Sequence, residues 1–133
     1  MELRGRPQSR LRILVVDDNH RIRELESELL QQLDYEVAVA ANAAEASQLL
    51  HASDWDLLMT DIHLPGASNG VELARSAKKR SPRLKTLIVG GDVDQYTRRD
   101  FEGIADATLK KPFRINELQH KIAALIGPAR TQR

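Results

Sequence analysis

The feature that most constrains the fold of this chain is a regular alternation between short β-branched apolar runs and longer stretches of helical period. Ile13, Leu14, Val15 and Val16 form one continuous apolar run, and Leu87, Ile88 and Val89 form another. Such runs suit central strands of a parallel sheet, where helices cover both faces and neither face needs to be polar. Between them, Ile22, Leu25, Leu29 and Leu33 recur at spacings of three and four, with Leu30 widening the stripe. That is the pattern of a helix burying one face. Ile115, Leu118, Ile122, Leu125 and Ile126 repeat it, and Gly127-Pro128 stops it.

Five strands are predicted, over Arg12–Val16, Glu36–Ala40, Asp56–Thr60, Thr86–Val89 and Ala107–Lys110. Shorter helices are expected over Ala43–Ala52 and Val71–Lys79, started by Asn42 and Asn69-Gly70, and over Val93–Glu102, where apolar positions are sparse. Strands and helices in this alternation define the α/β class, a doubly wound five-stranded parallel sheet with helices on both faces.

With 133 residues the chain has the size of one domain, predicted over 11–126 between a basic tail at 1–10 and a short tail at 127–133. A separate catalytic or DNA-binding domain has no room. Its apolar stretches fall short of the roughly 20 residues a membrane span needs. There are no cysteines, which excludes disulfides and thiolate zinc sites and fits a cytoplasmic location. The net charge of +1 hides a division, because the tails carry +2 each and residues 11–126 carry −3. A basic tail can touch nucleic acid, but short arginine fringes of this kind more often solubilise a domain or belong to a linker, so nucleic acid is not the expected partner.

In an open parallel sheet, chemistry gathers beyond the carboxyl ends of the strands. The residues there are Asp17-Asp18, Asp61, Gly90-Gly91-Asp92 and Lys111-Pro112-Phe113. Taken singly, each has an ordinary structural explanation: Asp18 as a helix cap, Asp61 and Asp92 as loop acids, Lys111-Pro112 as a rigid turn. Together, Asp17, Asp18, Asp61 and Lys111 converge on one sheet edge. Three carboxylates there repel one another unless a cation intervenes, and an all-oxygen set suits Mg²⁺.

At these residues the sequence resembles the receiver domains of two-component response regulators, whether single-domain or attached to hybrid sensor histidine kinases. The resemblance runs from Ile13-Leu14-Val15-Val16-Asp17-Asp18-Asn19 through Asp56-Leu57-Leu58-Met59-Thr60-Asp61-Ile62-His63-Leu64-Pro65-Gly66 to Leu109-Lys110-Lys111-Pro112-Phe113. The loop from Leu64 to Ala74 has the extra length frequent in hybrid-kinase receivers. The resemblance implies a flavodoxin-like strand order, 2-1-3-4-5. It implies that Asp61 accepts a phosphoryl group from a phosphohistidine of a sensor kinase or phosphotransfer protein. A carboxylate, ionised at neutral pH, needs no general base for this. Asp17, Asp18 and Asp61, with the backbone carbonyl of His63, would hold Mg²⁺, and Lys111, aimed by a cis bond to Pro112, would bind a phosphoryl oxygen. A downstream protein partner would bind within 93–126.

Two positions depart from the family pattern. Gly90 stands where a receiver usually has Thr or Ser, and Thr108 where an aromatic switch residue is usual. Phosphoryl transfer is expected to survive while the usual coupling to the surface is weakened or replaced. Thr86 is too far back along its strand to substitute. His20, His51 and His120 have no metal-ligand spacing, whereas His63 and Asp92 are placed to affect water access to the site.

A dinucleotide-binding module shares this layout, but Asp17-Asp18-Asn19-His20-Arg21 offers a pyrophosphate no glycine and two repelling carboxylates. A phosphatase with an aspartate nucleophile usually carries Asp-x-Asp and a cap. The remaining rival is a receiver-like interaction module that works without phosphorylation, favoured by Gly90 and Thr108 and opposed by Asp17, Asp18, Asp61 and Lys111.

Overall fold

The computed structural model describes residues 10–66 and 69–128. The predicted tails fall mostly outside that range, as do Ala67 and Ser68 of the lengthened loop. The elements are β1 (Arg12–Val16), α1 (His20–Gln32), β2 (Glu36–Ala40), α2 (Ala43–Ala52), β3 (Leu57–Asp61), α3 (Gly70–Arg80), β4 (Lys85–Gly90), a 3₁₀ turn (Val93–Gln95), α4 (Arg98–Phe101), β5 (Ala107–Lys110) and α5 (Ile115–Ile126). All pairings are parallel, and the order is β2-β1-β3-β4-β5, the flavodoxin-like order expected.

Strand alternation divides the core. Ile13 and Val15 of β1 point to one face, with Leu57 and Met59, against Leu30 of α1 and Leu118 and Ile122 of α5. Leu14 and Val16 point to the other, with Leu58 and Ile88, against Ala46 of α2, Leu73 and Ala74 of α3 and Phe101 of α4. β1, β3 and β4 are thus covered on both sides, which is why they read as continuous apolar runs.

Asn19, Asn42 and Asn69 each cap a helix, accepting from Ile22, Glu45 and Glu72 N–H respectively. The cap of α1 is therefore Asn19, not Asp18, and Asp18 is left exposed beside the sheet edge. The chain leaves α1 through Asp34, whose φ of 73° is the left-handed value usually given to glycine. Asp34→Gly is expected to raise stability by about 0.5 kcal/mol, the relief of the left-handed strain less the entropy a glycine adds to the unfolded chain. Urea midpoints of the two proteins measure it.

Four expectations need correction. β3 runs one residue later than predicted, so Asp61 is its last residue, and Asp56 lies outside it, accepting the Arg12 N–H at 2.7 Å. β4 is longer and includes Gly90. The helix predicted over Val93–Glu102 is two short pieces, because Thr97 and Asp100 form a reciprocal capping box that starts a new turn after Tyr96. Finally, α1 is rotated from the predicted face: Leu30 and Glu26 are buried, whereas Leu25 is 53% exposed. With Leu29 and Leu30 adjacent, the apolar stripe is wide enough to allow either orientation, and the sheet takes Leu30.

Candidate functional site

β1 delivers Asp17 to the carboxyl edge of the sheet, where it is almost fully buried. Its Oδ1 accepts the Asn19 N–H at 2.9 Å, which fixes the carboxylate, and Oδ2 accepts from Lys111 Nζ at 2.9 Å. Lys111 stands just past β5, held by its own N–H on the Gly90 carbonyl at 3.0 Å, and its bond to Pro112 is cis. The same Nζ lies 2.7 Å from Asp61 Oδ1. One ligand oxygen from each of Asp17, Asp18 and Asp61 falls within 4.8 Å of the others. The four residues singled out, which follow or end three different strands, therefore meet at one sheet edge.

Charge sets the character of this point. Burial pushes the Asp61 carboxyl up from its ordinary range to about 7, the nearby Asp17 pushes the same way, and Lys111 opposes both. Burial alone would depress Lys111, but its bonds to Asp61 and Asp17 outweigh that and raise it, so it stays cationic. One ammonium among three carboxylates leaves an excess of negative charge on hard oxygen donors, the donor chemistry that suits a divalent cation such as Mg²⁺.

The position of Asp61 is enforced from below by Gly70, the first residue of α3. A Cβ at Gly70 would lie 1.8 Å from the Asp61 carbonyl oxygen, and the Gly70 N–H bonds the Ile62 carbonyl at 2.9 Å. Gly90, at the end of β4, contributes no side chain, and Thr108 is half-buried within β5. Thr86 lies at the other end of β4, its hydroxyl on the Ile104 carbonyl, so it takes no part. The His63 ring is not among the clustered oxygens: its Nε2 meets Asp92 Oδ2 at 2.8 Å.

Two features were missed from sequence. Glu26 is 4% exposed, and burial raises its carboxyl to about 8, with Lys111 lowering it and Asp17 and Asp61 raising it. It lines a largely apolar groove of about 510 Å³ that runs from Lys111 past Phe113 and Ile115 to Ile22, Leu25 and Leu29. The signal was present, since Glu26 precedes Leu30 by four residues and so shares its face.

The family profile described as "Response regulator receiver domain" matches residues 13–123. The chain belongs to the response regulator receiver family. This receiver is 32% identical to the response regulator receiver protein CpdR of Brucella abortus over 116 residues, covering 86% of this chain and 96% of that one. It is also 32% identical to the transcriptional regulatory protein ResD of Bacillus subtilis, covering 89% of this receiver but only 49%, about half, of ResD. Among solved structures, the response regulator TrrA of Thermotoga maritima, in complex with Mg(2+)-BeF, is similar with a TM-score of 0.79 and 34% identity, covering 86% of this chain and 98% of that one. A CheY-like receiver of Methanospirillum hungatei gives 0.77 and 31%, covering 86% and 91%.

Proposed function

We propose that this receiver is the phosphoacceptor of a two-component phosphorelay, and that Asp61 takes the phosphoryl group from a phosphohistidine of a sensor histidine kinase or phosphotransfer protein. The observation that carries this reading is the meeting of Lys111 with Asp61 at 2.7 Å and Asp17 at 2.9 Å. An Asp61 carboxylate oxygen attacks phosphorus, the O–P bond forms, and the N–P bond to the donor imidazole breaks. The Lys111 ammonium receives a phosphoryl oxygen as a point charge, so charge gathering on the transferring group meets a preplaced cation. Asp17, Asp18 and Asp61, with the backbone carbonyl of His63, would hold Mg²⁺. When bound, the ion supplies charge neutralisation between the carboxylate and the incoming phosphoryl group.

The exposed groove beside Lys111 gives the donor protein an apolar surface next to the reacting atoms, with Leu25 and Ile115 at 53% and 40% exposure. A downstream partner would use the surface within 93–126. Among the described residues no helix is long and apolar enough to cross a membrane, which is compatible with a cytoplasmic role.

Mg²⁺-dependent labelling by acetyl phosphate tests the reading. The wild type takes up label and Asp61→Asn does not; equal labelling of both, or none of either, overturns it. The second reading, an interaction module that works without phosphorylation, draws on Gly90 and Thr108. Under the first reading Mg²⁺ binds at millimolar concentration and Asp18→Asn weakens it, whereas the second requires no binding. Beryllofluoride should shift amides in residues 90–113 only slightly, since Gly90 has no hydroxyl to move.

A further inference from the structure

Charge is spread unevenly over the fold. Residues 75–85 hold Arg75, Lys78, Lys79, Arg80, Arg83 and Lys85 and no acid, a charge of +6, while the rest of 11–126 carries −9. Part of this is helix chemistry, since Lys78, Lys79 and Arg80 fill the last turn of α3, where cations suit the helix dipole. Arg83 and Lys85 lie beyond that helix, and the dipole does not explain them. Pairing within the fold absorbs only part of the run. Arg75 meets Glu72 and Lys78 meets Asp106, but Lys79, Arg80, Arg83 and Lys85 are exposed and form no ion pair among the described residues. A surface that serves solubility alone intersperses both signs. Arg83 and Lys85 also border a recess of about 440 Å³ at the amino ends of β1, β3 and β4, about 17 Å along the sheet from Asp61. Leu11, Leu84 and Leu125 give the recess apolar walls and Trp55 an aromatic one. The indole is held in place: its Nε1 donates to the Leu49 carbonyl at 2.9 Å, and the Arg12 guanidinium lies 4.1 Å from the ring centre.

We propose that this recess and the end of α3 form a docking surface for an acidic segment of a partner protein. The segment places one large apolar side chain in the recess against Trp55 and sets its carboxylates on Lys79, Arg80, Arg83 and Lys85. Charge complementarity selects the place, because an acidic segment is attracted to this end of the fold and repelled by the net negative remainder. The recess selects the class of partner. Asp54 and Asp56 line it as well, and the Asp56 carboxylate already accepts the Arg12 N–H at 2.7 Å. A nucleic-acid backbone would bring only phosphates to the exposed Asp54, whereas a peptide brings N–H groups that its carboxylate accepts. An anionic membrane presents its charge over a plane and leaves a recess unfilled, whereas one apolar side chain fills it. The inference does not rest on Asp61 being the phosphoacceptor, since the surface lies at the opposite end of the strands.

Trp55 is the only tryptophan in the chain, so its fluorescence reports on the recess. The probe is a capped peptide of glutamates around a central phenylalanine, titrated into the full chain, with amide shifts to locate it. It is expected to bind with a Kd below about 1 mM, to change the Trp55 emission and to shift amides in 53–56 and 79–85. Serine in place of the phenylalanine should weaken binding by about tenfold, as the loss of one buried aromatic implies. Arg83→Glu should weaken it by about five- to tenfold, and Lys79→Glu in the same direction. Arg99→Glu makes the same charge change at an exposed position of α4 and should stay within about twofold of wild type. These side chains are exposed, so the urea midpoints should be unaltered, as should labelling at Asp61. Equal binding of the serine and phenylalanine peptides, shifts centred outside the two segments, equal weakening by Arg83→Glu and Arg99→Glu, or no binding by about 1 mM would each overturn the proposal. So would an oligothymidylate, or vesicles of phosphatidylglycerol, binding more tightly than the peptide and losing that binding in Arg83→Glu, because the surface then serves another class of partner.

Discussion

Gly70→Ala is expected to lower stability by about 2–4 kcal/mol, from the middle of the usual cost of overpacking to somewhat beyond it, although alanine is the better helix former by about 1 kcal/mol. The added methyl would lie 1.8 Å from the Asp61 carbonyl oxygen, 2.8 Å from the Asp61 carbonyl carbon and 3.1 Å from Ile62 Cα. All three are backbone atoms of the end of β3 and the loop after it, so no side chain can swing aside. Either α3 backs away, losing the Gly70 N–H bond to Ile62 and loosening Leu73 and Ala74 against the sheet, or the end of β3 moves and carries Asp61 from Lys111. The two responses separate experimentally. The first lowers the urea midpoint with labelling preserved; the second lowers both. Gly91→Ala is the control, since a Cβ there meets nothing within 4 Å and its φ is not in the left-handed region, and it should stay within about 0.5 kcal/mol of wild type.

The carboxylate site was legible in the sequence because it depends on where strands end, and strand ends in a parallel sheet are marked by where apolar runs stop. Asp17 and Lys111 follow their strands directly, and a one-residue error at Asp61 did not matter, since the strand carries it to the same edge. What could not be read depends on rotation and on loop paths. The α1 stripe contains Leu25, Leu29, Leu30 and Leu33, and that breadth admits more than one buried face. Thr97 with Asp100 was a visible capping signal inside the weakest helix, but sparse apolar positions gave no periodicity to set it against. The contact between His63 and Asp92 spans 29 residues between two loops, and no local pattern encodes it. The groove beside Lys111 follows directly from the rotation of α1: turning Leu30 inward turns Leu25 out.

That rotation also buries Glu26, and Glu26→Leu is expected to make the protein more stable at pH 8 by on the order of a few kcal/mol while changing little at pH 4.5. In the folded chain burial raises this carboxyl from 4.5 to about 8. The folded state therefore binds a proton that the unfolded chain has released. Stability from the neutral carboxyl is fully present below the unfolded value of 4.5 and is lost progressively as pH rises through the folded value of about 8. Leucine has no such titration and suits the apolar neighbours Ile22, Leu29 and Phe113 lining the same groove. Urea unfolding at intervals from pH 4.5 to 8.5 reads the difference directly. The wild-type curve should fall across that window more steeply than that of Glu26→Leu, and Glu26→Gln, also without a charge, should follow the leucine variant in slope. A wild type that gains stability relative to Glu26→Leu as pH rises would show instead that the ionised carboxylate is stabilised by Lys111, and that the ammonium serves Glu26 as well as Asp17 and Asp61.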